Sequence, residues 1–406
     1  MFVRSPARNW AHSLPSALLL MVPFDLLASL AMDVYLPVIP QMPAALGTSS
    51  TLIQLTLSAY MLVLGLGQLM FGPLSDRIGR RPVVLGGALL FSLASFALAV
   101  TQNGGMFLLL RVLQALGASA ALVATFATVR DVYADTPQGN TVYGLFGAIL
   151  AFVPALGPIL GAVIAMGFGW RAIFLMLGVM GLIALFRAWP RWAETRPASL
   201  PVREGGFGTV LRSPVFWVYT LGFGTAMGSF FVFFSIAPRL LIAGAGFSQI
   251  SFSLVFASVA LVMILGTRLA ARAVARWGVA GCCARGAGLM MTGAATLALC
   301  NLLMAPSFVA LVLPMWVIAV GIVLMVSVTA NGALAGFAEQ AGTAVALYYC
   351  IQALLVAGLG TLWIVWLGGD NAWPLAVQAS LMPLLCLAGL AWVGRGSGLE
   401  SGPQRD

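Results

Sequence analysis

Charge is what this sequence has least of. Only 8% of its 406 residues are Asp, Glu, Lys or Arg, while 61% are apolar and the mean hydropathy is +1.03. A soluble domain carries about a quarter charged residues, so a water-soluble globule is excluded. Lysine is absent, all 20 basic residues being arginine. Histidine occurs once, as His12 ahead of the first apolar run, which excludes a histidine proton relay or an HExxH metal site inside the apolar segments. The five cysteines, Cys282, Cys283, Cys300, Cys350 and Cys386, are odd in number and have no ligand spacing. They offer neither a disulfide framework nor a metal site, and no cofactor is expected. The formal charge of +9 does not call for a nucleic-acid partner, because basic residues collect in the cytoplasmic loops of membrane proteins.

What the chain has in abundance is long apolar runs. A bilayer crossing takes about 20 such residues, and twelve windows qualify: 15–39, 51–72, 82–101, 106–129, 141–165, 170–190, 214–237, 247–269, 279–304, 307–329, 341–367 and 373–394. The first is too long for the apolar core of a secretory signal, and further spans follow at once, so it is read as a retained helix. With the N-terminus inside, seventeen arginines fall on the inner side and only Arg171 and Arg239 on the outer. The positive-inside rule then puts both termini in the cytoplasm. The longest hydrophilic stretch, with Glu194, Arg196, Pro197, Pro201, Arg203 and Glu204, divides the spans six and six. The expected fold is therefore an all-α membrane protein of twelve transmembrane helices in two six-helix pseudo-repeats. Residues 1–190 form one bundle, 191–213 a cytoplasmic linker and 214–406 a second bundle with a short tail. The loop LSDRIGRRP after span 2 and the stretch ARAVARWGVAG after span 8 echo one another, as duplicated halves would.

Three charges interrupt the apolar runs. Asp25 and Asp33 lie in the first, and Arg111 lies in the fourth. Ionisable groups at membrane depth are costly and mark ion or substrate pathways. Eight residues of helix separate the acids by about 12 Å along the axis and about 80° around it, so they cannot share a proton directly but can border one cavity. A carboxyl whose proton affinity changes as Arg111 approaches or retreats is a proton switch. The plainer alternative is a static ion pair joining helices 1 and 4, although two acids and one base do not balance. Acids of the second half, Glu339 and Asp370, fall in predicted loops.

Several stretches then carry a resemblance. Gly72-Pro-Leu-Ser-Asp76-Arg77-Ile-Gly79-Arg80-Arg81-Pro82 could be an ordinary positive-inside loop, but between spans 2 and 3 it resembles the signature loop of the major facilitator superfamily. Leu110-Arg111-Val-Leu-Gln114-Ala-Leu-Gly117, Gly147 with Pro154-Ala-Leu-Gly157-Pro158-Ile-Leu-Gly161, and Trp170-Arg171-Ala-Ile-Phe174 resemble the drug/proton antiporter branch. The helix 5 motif also has a packing explanation, since Gly157 and Gly161 form a small-xxx-small face and Pro154 and Pro158 can bend the helix. The flanks of span 1 (Pro23 to Pro37), Gln54 to Ser58, Ala127 to Tyr133 and Phe230 to Pro238 are similar to the chloramphenicol and florfenicol exporters of bacterial inner membranes.

That resemblance implies proton-coupled export of phenicol drugs by alternating access, with a small-molecule drug, protons and the bilayer as partners and a monomer as the working unit. Proton coupling would rest on Asp25, Asp33 and Arg111. Substrate contacts would come from these three with Tyr35, Gln54, Tyr60, Met227, Phe230 and Phe234. Phe223 and Phe231 would extend the apolar wall on helix 7. Gating would fall to Gly72, Asp76, Arg77, Gly79, Arg80 and Asp131, with Asp76 and Arg80 latching the two halves. Gly147, Pro154, Gly157, Pro158 and Gly161 would be the exporter motif. The rivals are an importer of a small metabolite on the same fold and a polytopic membrane enzyme. Against the enzyme stands the lack of an intramembrane histidine and of any Ser/His or paired-Asp motif.

Overall fold

The structure is a computed structural model that describes residues 10, 12–133, 136–196, 207–337 and 341–399. The tail, Arg203, Glu204 and Glu339 lie outside the described residues. Among these, eleven helices are long and apolar enough to cross a membrane. The longest, Gln249–Leu303 of 55 residues, is broken by Gly278 at φ 68° and ψ −177°. It is two helices, so the spans number twelve, as the apolar windows require.

In chain order they are α1 (Leu14–Asp33), α2 (Ser50–Ile78), α3 (Arg80–Val100), α4 (Gly104–Tyr133), α5 (Pro137–Phe168) and α6 (Arg171–Ala188). There follow α7 (Pro214–Pro238), α8 and α9 on either side of Gly278, and α10 (Leu313–Leu334). Next comes α11 (Ala341–Leu354), which runs through a π-turn at Leu355–Leu359 into Gly360–Leu367, and then α12 (Trp373–Leu399). Twenty residues at 1.5 Å rise make about 30 Å, the hydrocarbon thickness of a bilayer. The surface is accordingly apolar, with Phe186 70% and Trp366 78% exposed, while Asp25, Asp33, Arg111 and Gln114 are buried.

Two expected boundaries move. The first span is α-helical only to Asp33, and residues Leu36–Gln41 form a 3₁₀ turn ahead of a short helix at Met42–Ala45. Pro37, Pro40 and Pro43 cause this, since each lacks the backbone donor an α-helix needs. Conversely, the inner loops expected after spans 2 and 8 are mostly helix. Residues 73–78 complete α2, and residues 270–277 complete α8. Polar sequence ends a membrane crossing but not a helix, and the turn is made by one glycine in each case: Gly79 at φ 106° and Gly278 at φ 68°.

The described residues form two compact units, Met1–Val202 with Ser248–Ala257, and Arg203–Phe247 with Ser258–Asp406. Ser248–Ala257 joins the first through Ser253, whose hydroxyl donates to the Pro158 carbonyl over 2.9 Å. Within the first unit, α3 and α4 meet where Gly87 and Gly117 face each other's backbone, each leaving no room for a Cβ. In the second, Gly286 of α9 and Gly321 of α10 do the same. Such small-residue contacts let membrane helices approach closely. Gly79 precedes Gly87 by the same interval at which Gly278 precedes Gly286, so the two units share one construction.

Candidate functional site

The last turn of α1 is where the buried polar chemistry gathers. A helix end leaves its final carbonyls without intrahelical partners. Here Arg111 of α4 supplies one, its Nη1 donating to the Ala31 carbonyl over 3.1 Å and to Gln114 Oε1 over 2.5 Å. A cation at a helix C-terminus is also favoured by the helix dipole. Gln114 Nε2 donates in turn to Ser95 Oγ at 2.8 Å, and Ser95 donates to the Phe91 carbonyl. The guanidinium carbon stands 4.6 Å from the Tyr35 ring centroid and 4.4 Å from that of Tyr60, within cation–π range. The ring hydroxyls are held as well. Tyr60 donates to the Ala28 carbonyl at 2.8 Å, and Tyr35 shares a 2.6 Å hydrogen bond with Thr56.

Arg111 is therefore caged by carbonyl, amide and two aromatic faces. Among the described residues it makes no ion pair with Asp25 or Asp33, so the expected counter-charge contact is not formed and the static ion pair is absent. The buried guanidinium is held by neutral groups through Nη1 alone, its Nε and Nη2 have no hydrogen-bond partner, and Asp25 Oδ2 and Gln54 Nε2 have none either. Unmet buried donors and acceptors are costly. A bound molecule carrying carbonyl or hydroxyl groups could satisfy them.

The helix 5 motif reaches the same place from the other side. A Cβ on Gly157 would lie 2.8 Å from the Asp33 Cβ, and one on Gly161 would overlap the Val34 carbonyl oxygen. The two glycines thus seat the end of α1 against α5. Gly147 has open space around it and makes no such contact. Gly157 also lines an apolar recess of about 570 Å³ between α1, α5 and α6, with Leu26, Leu30, Phe152, Leu156 and Met180. Tyr35, Gln54, Tyr60 and Arg111 do not line it.

At the other end of α4, Arg80 is buried and pairs with two carboxylates. Its Nε donates to Asp131 Oδ2 at 2.8 Å, and its Nη1 to Asp76 Oδ1 at 2.5 Å and Ser75 Oγ at 2.8 Å. All of these partners belong to the first unit. Gly72 contributes the carbonyl that Ser75 Oγ donates to. Arg77 enters only through its carbonyl, which accepts from Arg196, and its side chain is exposed. In the second unit, Phe223 stacks edge-on against Tyr348 and Phe231 fills the space left by Gly360, which are packing roles. Phe230 and Phe234 pair at 6.4 Å, and Met227 is half-buried beside them in sequence.

Sequence reasoning missed Ser75, Ser95, Thr56 and Glu194, and gave Gln114 no role of its own. Ser75, Ser95 and Thr56 are small polar residues of a kind common in membrane helices, Glu194 lies in a hydrophilic segment with other charges, and nothing but their neighbours distinguishes them.

With this geometry in view, comparison with known proteins decides the family. A model of the Major Facilitator Superfamily matches residues 25–361. The chain belongs to that superfamily. It is 47% identical over 402 residues to a chloramphenicol resistance protein of Pseudomonas aeruginosa, covering 98% of this chain and 95% of that one. It is also 31% identical to the multidrug resistance protein MdtL of Shewanella oneidensis, over 58% of this chain and 60% of the relative. In fold it is similar to a crystal structure of the peptide transporter POT in complex with sulfate, with a TM-score of 0.75, 15% identity and coverage of 96% and 97%. As a superfamily member with this all-helical architecture, the chain is a multi-pass membrane transporter and not an enzyme.

Proposed function

We propose that this transporter exports phenicol antibiotics, chloramphenicol and florfenicol, across the bacterial inner membrane in exchange for protons. The observation that carries the reading is the 47% identity, along nearly the whole chain, to a chloramphenicol resistance protein. The site supports it: a neutral drug rich in hydroxyl and amide groups matches the unpartnered donors of Arg111 and Gln54. The Tyr35 and Tyr60 rings, now covered by the guanidinium, would offer aromatic faces to an aryl ring once Arg111 moves.

In this reading Asp25 carries the exchanged proton. An uncompensated charge near the bilayer centre costs about 2.5 to 3.5 kcal/mol on insertion scales, so the carboxyl holds a proton while Arg111 stays in its cage. A drug that draws the guanidinium off the Ala31 carbonyl gives the carboxylate a counter-charge and releases the proton, and this competition is the coupling. Asp33 tunes substrate choice. Asp76, Arg80 and Asp131 gate the cytoplasmic side, both termini face the cytoplasm, and the monomer, with one bundle on each side of the segment 191–213, is the working unit.

The test is drug susceptibility of a pump-deficient bacterium expressing the chain, with and without a protonophore. Resistance to both phenicols that the protonophore abolishes is expected. A well-expressed copy that confers none would end this reading and favour a metabolite importer.

A further inference from the structure

The N-terminus of α3 is held by a residue from outside every motif discussed above. Glu194, in the segment that follows α6, accepts at Oε1 from the backbone N–H of Arg80 at 2.8 Å and at Oε2 from that of Arg81 at 3.2 Å. The same Oε1 takes the N–H groups of Thr195 at 3.1 Å and Arg196 at 3.0 Å. The first N–H groups of a helix lack partners and a carboxylate there is favoured. This one comes from more than a hundred residues downstream.

Its seat explains Gly79 twice over. The backbone at φ 106° strains any side chain, and a Cβ there would overlap the Glu194 carboxylate. Two further bonds tie the segment down: Arg81 Nη2 donates to the Trp189 carbonyl at 2.9 Å, and the Arg196 guanidinium donates to the Arg77 carbonyl. Arg80 is thus fixed at both ends. Glu194 holds its backbone, while Asp76, Ser75 and Asp131 hold its guanidinium.

We infer that Glu194 is a positioning residue for the Arg80 latch, coupling the segment after α6 to the turn between α2 and α3. The functional half of this inference rests on the efflux reading above. Removing the carboxylate leaves the Arg80 guanidinium chemically intact but lets its backbone swing, so the latch closes less often.

The experiment uses full-length protein, wild type beside Glu194→Ala and Glu194→Gln, the latter keeping one acceptor oxygen should the former fold poorly. Hydrogen exchange at the amides of Arg80 and Arg81 should quicken about tenfold in Glu194→Ala and less in Glu194→Gln, the scale of one lost hydrogen bond. In reconstituted vesicles, chloramphenicol turnover should fall about fivefold while Kd stays within about twofold. Added to Asp76→Asn, the Glu194→Ala change should cost less than it does alone, because both act through Arg80. Unchanged exchange, turnover and affinity falling together, or fully multiplicative effects would each overturn the proposal. A wild-type protein that neither binds nor moves chloramphenicol would instead remove the efflux reading, and the exchange result would still decide whether Glu194 anchors the turn.

Discussion

Arg111 shows how much of a buried charge's role is set by groups that sequence cannot display. That an arginine and two aspartates sit in apolar runs is visible at once, because each stands out against a background of 8% charged residues. That Arg111 rests on the Ala31 carbonyl and between two tyrosine rings is not, since a carbonyl has no letter and ring contacts arise only when α1, α2 and α4 pack. The distinction changes what a mutation should do. Arg111→Lys keeps the charge but loses the planar fork that serves Ala31 and Gln114 while stacking on both rings. It should reduce efflux nearly as far as Arg111→Ala, by about tenfold or more, equivalent to over 1.4 kcal/mol of barrier. A simple counter-ion for Asp25 would tolerate lysine, so near-normal chloramphenicol efflux by Arg111→Lys in vesicles would refute the cage.

The elements follow from pattern more fully than the site does. Twelve crossings are legible because hydrocarbon thickness imposes a length on every one of them. Helix boundaries at the turns after α2 and α8 are not, because both continue as helix through polar sequence until a glycine turns them. The same limit applies to the helix 5 motif: sequence displays five small or rigid residues, and only packing separates those that touch α1 from those that do not. Gly161→Ala should be the most damaging change, since its Cβ would overlap the Val34 carbonyl, whose position α1 fixes. Gly157→Ala should follow, meeting the Asp33 Cβ at 2.8 Å. Overpacking of this kind costs about 1 to 3 kcal/mol. Gly147→Ala, with nothing within 4 Å, should leave thermal stability and efflux unchanged. Melting temperatures of the three purified variants give the order, and a Gly147→Ala as unstable as Gly161→Ala would contradict it.

At the scale of the molecule, the two units share a construction but not a chemistry. Each turns on a glycine with positive φ and packs the next helix through a glycine eight residues on. Yet where the first unit places Asp76 and Arg80 around its turn, the second has Ala275 and Val279, and no acid lies inside its described spans apart from the ends. Asp370 sits in the exposed turn between α11 and α12, hydrogen-bonded to Asn371. Among the described residues, both units therefore share the scaffold, while the carboxyls buried inside apolar helices, Asp25 and Asp33, lie in the first. If protons are exchanged for drug, as proposed above, Asp25 and Asp33 of the first unit are the buried carboxyls placed to carry them. In lightly buffered detergent solution, chloramphenicol added to the wild-type protein should release protons, measurable with a pH dye. Asp25→Asn, neutral at every pH, should release none while still binding the drug. Asp370→Asn should release as many as wild type. Equal release from wild type and Asp25→Asn would move the coupling site elsewhere, and loss of release in Asp370→Asn would put it in the second unit.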